Sequence, residues 1–292
     1  MGRVPQIVSH KQVPLRIDIP ECWFDHCFGD RAVLPAVEAM QHLAASVLAH
    51  VPEARVLSMQ KARFEKFYLL DRANPHLLEA IHELQVYDDG SVASALLSKS
   101  QAGKAAYTRT KKHVSLCFIP RDPGETTPPA PLTEEAGDWF RVGSETVYSE
   151  LVPFREAYHN LRGEVLLHPR EVRAKIYAPP DRTRDVPLGS PFPLDAAFHA
   201  ACAWAQRYTG IVAFPVGCDS RTIFRPTREK GMYAVRIRPR GGDAKELTFD
   251  MWILGMEGNV YEAVSGVRMR DVSGGRMQPP AWIRRDDQDR DG

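Results

Sequence analysis

Apolar residues recur at helical spacing directly after Pro35. Val37, Met40 and Val47 lie on one face of this stretch because the intervals between them fit a helical repeat. Proline is favoured at the first position of a helix, whereas a proline further along ends one. The pattern therefore predicts a helix that begins at Pro35 and ends near residue 50, before Pro52.

A second helical pattern covers residues 193–208. Leu194, Phe198 and Ala205 lie on its apolar face. Gly210 follows the last periodic position, and glycine commonly ends a helix there in a left-handed conformation. The chain is therefore predicted to contain two long helices, one in each half.

Strand patterns accompany both helices, with β-branched and apolar residues between turn-forming ones. Residues 88–90 and 101–103 are two such turns. The predicted strands are residues 55–67, 77–87, 91–99, 104–118, 142–148, 161–167, 171–178, 211–216, 221–224, 231–239, 247–254 and 259–269. Each half thus has one long helix and a run of antiparallel strands, which indicates an α+β fold of two helix-wrapped sheets.

Local composition divides the chain into four regions. Residues 119–137 are rich in proline and threonine and lack periodicity, so they are predicted to be an exposed linker. The linker separates an N-terminal unit, residues 1–118, from a C-terminal unit, residues 138–273. The charged, glycine- and proline-rich residues 274–292 are predicted to form a flexible tail.

The bulk composition is that of a soluble globular protein, with 43% hydrophobic and 26% charged residues. The net charge of +1 offers no attraction to nucleic acid or to an anionic membrane. The first 20 residues contain no apolar signal-peptide core, and no apolar run has the length of a membrane helix. Five sparse cysteines do not resemble a disulfide framework. We therefore expect a cytoplasmic protein with reduced thiols.

A histidine and a carboxylate lie beside the two predicted helix starts, His26 before the first and Asp195 in the first turn of the second. Helix N-termini favour polarised or anionic ligands, and a base combined with an acid indicates proton-transfer chemistry. Each residue also has a simpler interpretation. His26 can be an ordinary partly buried histidine, and Asp195 can be a helix cap.

Other chemistries have less support. Cys22, His26 and Cys27 could contribute to a zinc site, but no second closely spaced pair completes four ligands. No orienting residue supports a Cys–His nucleophile, and no glycine-rich loop matches a phosphate or dinucleotide fingerprint. The basic residues of segment 221–230 are interpreted as solvated surface, with contact to an acidic carrier protein as the alternative.

Two motifs make the chain resemble a known family, the dehydratase domains of polyketide and polyunsaturated fatty-acid synthases. The family's first motif is His, three residues, Gly, four residues, Pro, and His26 and Pro35 keep its full spacing. Its second motif is His-Pro, three residues, Asp, three residues, then Gln or His, which Pro191, Asp195 and His199 match. Residues 152–161 resemble the segment that opens the family's second hot dog. The resemblance covers residues 12–272 and implies a double hot-dog fold.

The sequence departs from the family pattern at three places. Asp30 stands where the first motif has glycine, and Gly29 is one position early. Because that glycine helps hold the thioester carbonyl, its displacement is expected to affect this contact. Ser190 replaces the histidine of the second motif, and residues 155–156 replace a Gly-Pro pair whose loss is expected to alter the substrate tunnel.

The resemblance implies a β-hydroxyacyl thioester dehydratase of polyketide or fatty-acid synthesis. In this hypothesis His26 is the base, Asp195 is the acid, and His199, one helical turn further on, orients Asp195. We expect burial to raise the pKa of Asp195 and keep it protonated. Backbone N–H groups of residues 28–30, or of the first turn after Pro35, would polarise the carbonyl. The predicted substrate-binding residues are Phe28, Gly29, Asp30, Pro35, Pro191 and Phe198.

Acid–base elimination implies no metal and no redox cofactor. The substrate would be carried on the phosphopantetheine arm of an acyl carrier protein, and pairing of two copies as a homodimer is left open. Two alternatives to the dehydratase remain. One is a double-bond isomerase or cyclase of the same fold, and the other is a non-catalytic acyl-binding subunit of a synthase.

Overall fold

The computed structural model describes residues 3–101, 108–121, 128, 139–180, 186–242 and 245–284. Its strands, in chain order, are β1 (Ile7–Asp18), β2 (Cys27–Phe28), β3 (Arg31–Ala32), β4 (Ser58–Phe64), β5 (Leu77–Tyr87), β6 (Val92–Gln101), β7 (Thr108–Phe118), β8 (Phe140–Gly143), β9 (Leu161–His168), β10 (Glu171–Tyr177), β11 (Phe214–Ile223), β12 (Met232–Gly242), β13 (Leu247–Gly255) and β14 (Val260–Arg270). Its helices are α1 (Ala36–His50), α2 (Ser144–Thr146), α3 (Phe192–Thr209) and α4 (Ala281–Arg284).

Within the described residues, twelve strands form one antiparallel sheet in the order β1-β5-β6-β7-β4-β11-β14-β13-β12-β10-β9-β8. β2 and β3 form a separate small hairpin. β4, from the first half, pairs with β11, from the second, so the two half-sheets meet edge to edge. We call this β4–β11 pairing the seam.

Each long helix packs on the strands of its own half. α1 buries Val37, Met40 and Val47, and each side chain of this size contributes roughly 2 kcal/mol when removed from water. α3 is rich in alanine and buried over most of its length, because small side chains let the surrounding strands approach closely. Gly210 ends α3 with a φ of 71°, in the left-handed region. Both predicted helices are confirmed, and so is the predicted α+β class, although the two antiparallel half-sheets join into one sheet at the seam.

Two strand predictions were wrong. Residues 144–148 are helical, because α2 continues into a wide π-helical turn, Val147–Leu151, in which Val152 N donates to Val147 O at 2.9 Å. Residues 211–216 and 221–224 are not separate strands, because β11 runs through both with a bulge near Pro215. In addition, the extended lead-in is an edge strand, β1, which pairs with β5.

Part of the predicted tail, α4, packs on α3. Ile283, in α4, is completely buried, and its carbonyl accepts a hydrogen bond from Arg207 Nη1 at 2.8 Å. Residues 281–284 thus make a contact with α3 that the sequence pattern did not show, and the flexible tail from residue 274 stays a prediction. Residues 285–292 lie outside the described residues.

Several predictions concern parts of the chain that the structure describes only partly. The linker at residues 119–137 lies outside the described residues except for 119–121 and 128, and so does most of the turn at 101–103. The domain boundaries at 118 and 138 stay predictions. Over the described ranges, no helix combines the length and apolar character needed to cross a membrane. The five cysteines, all within the described residues, form no disulfide bond with one another.

Candidate active site

His26, Asp195 and His199 meet at one cavity of about 720 Å³. Nε2 of His26 lies 3.9 Å from Oδ1 of Asp195, and Nε2 of His199 lies 3.1 Å from Oδ2 of the same carboxyl. All three side chains are at least nine-tenths buried. The structure thus brings together the three residues that the motifs pointed to, although the two motifs belong to different halves of the chain.

The ring of His26 is fixed by the segment that leads into α1. Its Nδ1 lies 3.1 Å from the carbonyl oxygen of Val33, and the N–H of Val33 donates back to the carbonyl of His26 at 3.0 Å. A carbonyl can only accept, so Nδ1 is the protonated nitrogen of the neutral ring. Nε2 therefore presents a lone pair to Asp195 and the cavity.

Burial keeps His26 uncharged. Its ring stacks on Phe154 at 4.1 Å with an interplanar angle of 18°, and Tyr158 lies 5.0 Å away. This desolvation lowers the pKa of His26 from 6.5 to about 4, although the nearby Asp195 carboxylate acts in the opposite direction. The ring is therefore neutral near pH 7.

Asp195 does not have the raised pKa that the sequence led us to expect. Burial does raise its pKa, but the 3.1 Å contact with His199 and the proximity of His26 have a larger combined effect. The net direction is a lowered pKa, so the carboxyl of the empty site favours ionisation. Its position in the first turn of α3, next to free N–H groups, also favours the charged form.

His199 is one helical turn after Asp195 on α3, so both side chains lie on the same helix face. Its Nδ1 lies 3.3 Å from the hydroxyl of Tyr148, in the π-helical turn. Tyr148 lies outside both motifs, and no local pattern points to it, because the contact joins residues 51 positions apart.

The six predicted substrate-binding residues are placed in different surroundings. Phe28 and Phe198 line the cavity. Pro35 and Pro191 are the N-cap residues of α1 and α3 and are not among the described lining residues. Gly29 and Asp30 are exposed at the turn between β2 and β3, also outside that lining.

The β2–β3 turn explains why glycine stands at position 29. Gly29 has a φ of +61°, whereas Asp30 has a negative φ, as in two-residue hairpin turns whose first central residue needs a positive φ. A residue with a side chain would be strained at position 29 even though the space around it is open. The glycine is therefore explained by the turn alone.

The cavity extends well beyond the three polar residues. Its wall includes residues of β4 and β11, so it runs along the seam between the halves. Phe67, which is 46% exposed, stacks on Phe28 at 4.9 Å and marks an opening to solvent. The lining residues not predicted from the sequence include Phe64, Lys66, Tyr68, His113, Phe154, Phe214, Lys245 and Arg270.

Within the described parts of the chain, no group of three or more histidine, cysteine, aspartate or glutamate side chains has an arrangement that could hold a metal ion. The described polar groups of the cavity instead supply proton donors, proton acceptors and free backbone N–H groups. No side chain among the described residues caps the start of α1, and Ala36 in its first turn lines the cavity. The N–H groups of Ala36 and Val37 have no acceptor within the helix.

Residues 152–279 match the family model described as "Polyketide synthase dehydratase N-terminal domain". No curated protein sequence is significantly similar to the chain. A trans-AT polyketide synthase dehydratase domain from Brevibacillus brevis has a TM-score of 0.72 at 13% identity, over 91% of this chain and 95% of its own. The chain thus resembles the polyketide synthase dehydratases in the sequence of residues 152–279 and shares their fold. Both the resemblance and the double hot-dog fold predicted from it are confirmed.

Other dehydratase structures have the same fold at similarly low identity. The dehydratase domain of RzxB from Pseudomonas fluorescens has a TM-score of 0.67 at 14% identity, over 89% of this chain and 94% of its own. The dehydratase domain from the CurJ module of the curacin polyketide synthase has a TM-score of 0.68 at 14% identity, over 90% of this chain and 95% of its own. The dehydratase fold thus spans nearly the whole chain.

The departures from the dehydratase motifs lie around the cavity rather than in its wall. Arg155 and Glu156 are exposed and, contrary to expectation, neither is among the described lining residues. Arg155 N donates to Asp25 O at 2.9 Å, which ties this segment to the residue before His26. Ser190 is buried, and its backbone N donates to Thr227 O at 3.0 Å.

Proposed function

We propose that this protein removes water from a β-hydroxyacyl thioester, with His26 as base and Asp195 as acid. The observation that carries the proposal is the 3.9 Å gap between His26 Nε2 and Asp195 Oδ1, at one wall of an apolar cavity. The lone pair of His26 Nε2 and the Oδ1 oxygen of Asp195 face each other across this gap, so the two groups can reach adjacent carbons of one small substrate.

The first step is removal of the α-proton by Nε2 of His26. A pKa of about 4 keeps the nitrogen unprotonated but makes it a weak base, so the thioester carbonyl must be polarised. The free N–H groups of Ala36 and Val37 are suited to this task, since Ala36 lies at the cavity wall. Gly29 and Asp30, the other candidates from the sequence, are less suited because they are exposed outside it.

The second step is protonation of the leaving hydroxyl by Asp195. An acyl chain that excludes water from the cavity raises the pKa of this carboxyl, so it is protonated when substrate is bound. The electron pair of the broken bond between the α-carbon and its hydrogen forms the carbon–carbon double bond. The bond between the β-carbon and oxygen breaks, and the hydroxyl leaves as water with the proton of Asp195. Transfer of the proton from His26 Nε2 to Asp195 Oδ1 then restores both groups.

Two further observations support the assignment. A structural neighbour at 13% identity, with a TM-score of 0.69, is described as an inactive mutant of the CurJ dehydratase in which histidine is replaced by phenylalanine. In addition, the opening beside Phe67 gives an extended chain access to His26. We propose an acyl carrier protein as the partner that delivers the substrate on its phosphopantetheine arm.

The test is water loss from a β-hydroxyacyl thioester of N-acetylcysteamine, with the product identified by mass spectrometry. We expect His26→Ala and Asp195→Asn each to lower kcat by at least about a thousandfold, as for removal of a general acid or base. His10→Ala and Asp18→Asn are matched controls, because both residues are exposed on β1.

Activity that survives both site substitutions would exclude the assignment. A shifted double bond or a ring as product would indicate an isomerase or cyclase, and binding without turnover would indicate an acyl-binding subunit.

A further inference from the structure

The hydroxyl of Tyr148 has three polar neighbours. Its oxygen lies 2.9 Å from the backbone N of Asn160, 3.0 Å from the backbone N of Leu161 and 3.3 Å from Nδ1 of His199. The ring is 8% exposed and stacks on His159 at 4.2 Å, so the hydroxyl is held in place from several sides.

These contacts determine where the hydroxyl hydrogen points. The backbone N–H groups of Asn160 and Leu161 can only donate, so they occupy both lone pairs of the phenol oxygen. The hydrogen of Tyr148 is then directed at Nδ1 of His199, which must accept it. Burial raises the pKa of Tyr148, so the hydroxyl keeps this hydrogen in neutral solution.

An imidazole that accepts at Nδ1 carries its own hydrogen at Nε2. Nε2 of His199 lies 3.1 Å from Oδ2 of Asp195, and neither atom has a hydrogen bond of good geometry among the described residues. Oδ2 of Asp195 is therefore the oxygen nearest to His199, and Oδ1 is the oxygen that faces His26.

We propose that Tyr148 is a positioning residue for the elimination: it fixes His199 in the tautomer with hydrogen on Nε2, and so assigns the acid proton to Oδ1 of Asp195. The role in elimination rests on the proposed function. A proton on Oδ1 lies on the side of His26, where the hydroxyl of a substrate would bind. A proton on Oδ2 would point at the Nε2 hydrogen of His199 instead.

The contact with Tyr148 also determines what His199 offers to Asp195. The titratable groups around His199 are Asp195 on its own helix, Tyr148 on the π-helical turn and His26 before α1. In the tautomer set by Tyr148, the Nε2 hydrogen of His199 lies on the side of Oδ2, which leaves Oδ1 as the oxygen that takes up a proton when substrate enters.

The first experiment is ¹⁵N NMR of protein labelled at the histidine ring nitrogens, with His199→Gln used to assign the His199 signals. In the substrate-free protein at pH 7 we expect an unprotonated Nδ1 and a protonated Nε2. A protonated Nδ1 would overturn the proposal. Because this measurement needs neither substrate nor turnover, it remains decisive if the dehydratase assignment fails or if a variant does not fold.

The second experiment is Tyr148→Phe, which removes only the hydroxyl. We expect a second His199 tautomer in the NMR spectrum and roughly a tenfold loss of kcat, the effect of about one hydrogen bond. KM should change less than about twofold, because Tyr148 is not among the described residues that line the cavity. An unchanged kcat with an unchanged tautomer would overturn the proposal.

Tyr233→Phe is the matched control. Its hydroxyl also accepts a backbone N–H, that of Arg228 at 2.6 Å, and its ring is buried. We expect Tyr233→Phe to reduce stability while kcat and the His199 tautomer stay unchanged. An equal loss of kcat in both variants would mean that the effect of Tyr148→Phe is general loosening, which would also overturn the proposal.

Discussion

At the scale of single residues, the two ring nitrogens of His26 have separate tasks. Nδ1 bonds to the carbonyl of Val33 and anchors the ring, whereas Nε2 is left for chemistry. The stacked ring of Phe154 excludes water from one side and lowers the pKa of the imidazole. The neighbours of this histidine thus decide both where its proton sits and at which pH it is lost.

The pH dependence of turnover should report this environment. On the acidic side, we expect kcat/KM to decline with a midpoint at about pH 4 rather than 6.5, because His26 ceases to act as a base only when its Nε2 is protonated. Phe154→Ser admits water and should move the midpoint upward toward 6.5. Circular dichroism at each pH separates this effect from unfolding. A wild-type midpoint near 6.5 would contradict the lowered pKa.

Asp30 provides a second test at this scale. Because it is exposed on the β2–β3 turn, Asp30→Gly should change kcat/KM by less than about twofold, as surface substitutions usually do. Gly29→Ala, by contrast, should cost about 1 kcal/mol of unfolding free energy, since its φ is positive. A large gain in activity for Asp30→Gly would show that the displaced motif glycine matters to substrate after all.

At the scale of secondary-structure elements, local signals explain what the sequence predicted well. Pro35 and Gly210 mark one end of α1 and α3 respectively, and both helices begin and end close to the predicted positions. Residues 144–148 were missed because valine and tyrosine favour strands locally. Their helical turn is stabilised instead by tertiary contacts, such as those of Tyr148 with Asn160 and His199, which no local pattern contains.

The packing of α1 on β5 should make stability depend on pH. His82, on β5, is completely buried, its Nδ1 lies 2.8 Å from Ser46 Oγ of α1, and burial lowers its pKa to about 4. The unfolded chain takes up the proton near pH 6.5 and the folded protein only near pH 4. Stability therefore falls as the pH falls through this window, by about 3 kcal/mol for this group.

We expect His82→Gln to reduce that loss, so that the difference in unfolding free energy between pH 7 and pH 4.5 becomes smaller than in the wild type. Urea unfolding at both pH values measures it. His10→Gln is the control, because the His10 side chain is half exposed on β1. An unchanged difference in His82→Gln would show that this histidine does not cause the acid sensitivity.

At the scale of the whole molecule, the seam is the feature that the sequence could not show. Periodicity identified β4 and part of β11 as strands, but nothing local indicates that Gln60 pairs with Ser220. The motifs did predict that His26 and Asp195 belong to one site, through the family resemblance. Their meeting along the seam depends on pairing between distant strands, which propensity and patterning do not specify.

Next to the seam, a buried ion pair should be important for stability. Arg221 of β11 binds Glu262 of β14 through Nε at 2.7 Å and Nη2 at 3.1 Å, and both side chains are almost fully buried. We expect Arg221→Met to lower the unfolding free energy by roughly 3–5 kcal/mol, because it leaves a buried carboxylate without a partner.

The double variant Arg221→Met/Glu262→Leu should recover most of that loss, since it removes both charges and keeps apolar volume. Guanidinium unfolding of the wild type, both single variants and the double variant gives the coupling free energy. Additive losses in the double variant would contradict a pairwise role for these charges.

The position of the cavity along the seam makes the proposed elimination depend on the register of the two half-sheets. His26 and Asp195 belong to different halves, so the 3.9 Å between them is also a measure of how the halves are aligned. Catalysis depends on distances at the scale of an ångström, whereas secondary structure tolerates larger displacements. Enzymatic turnover should therefore act as a gauge of inter-half alignment, and mild denaturant should abolish it before the strands and helices of either half are lost.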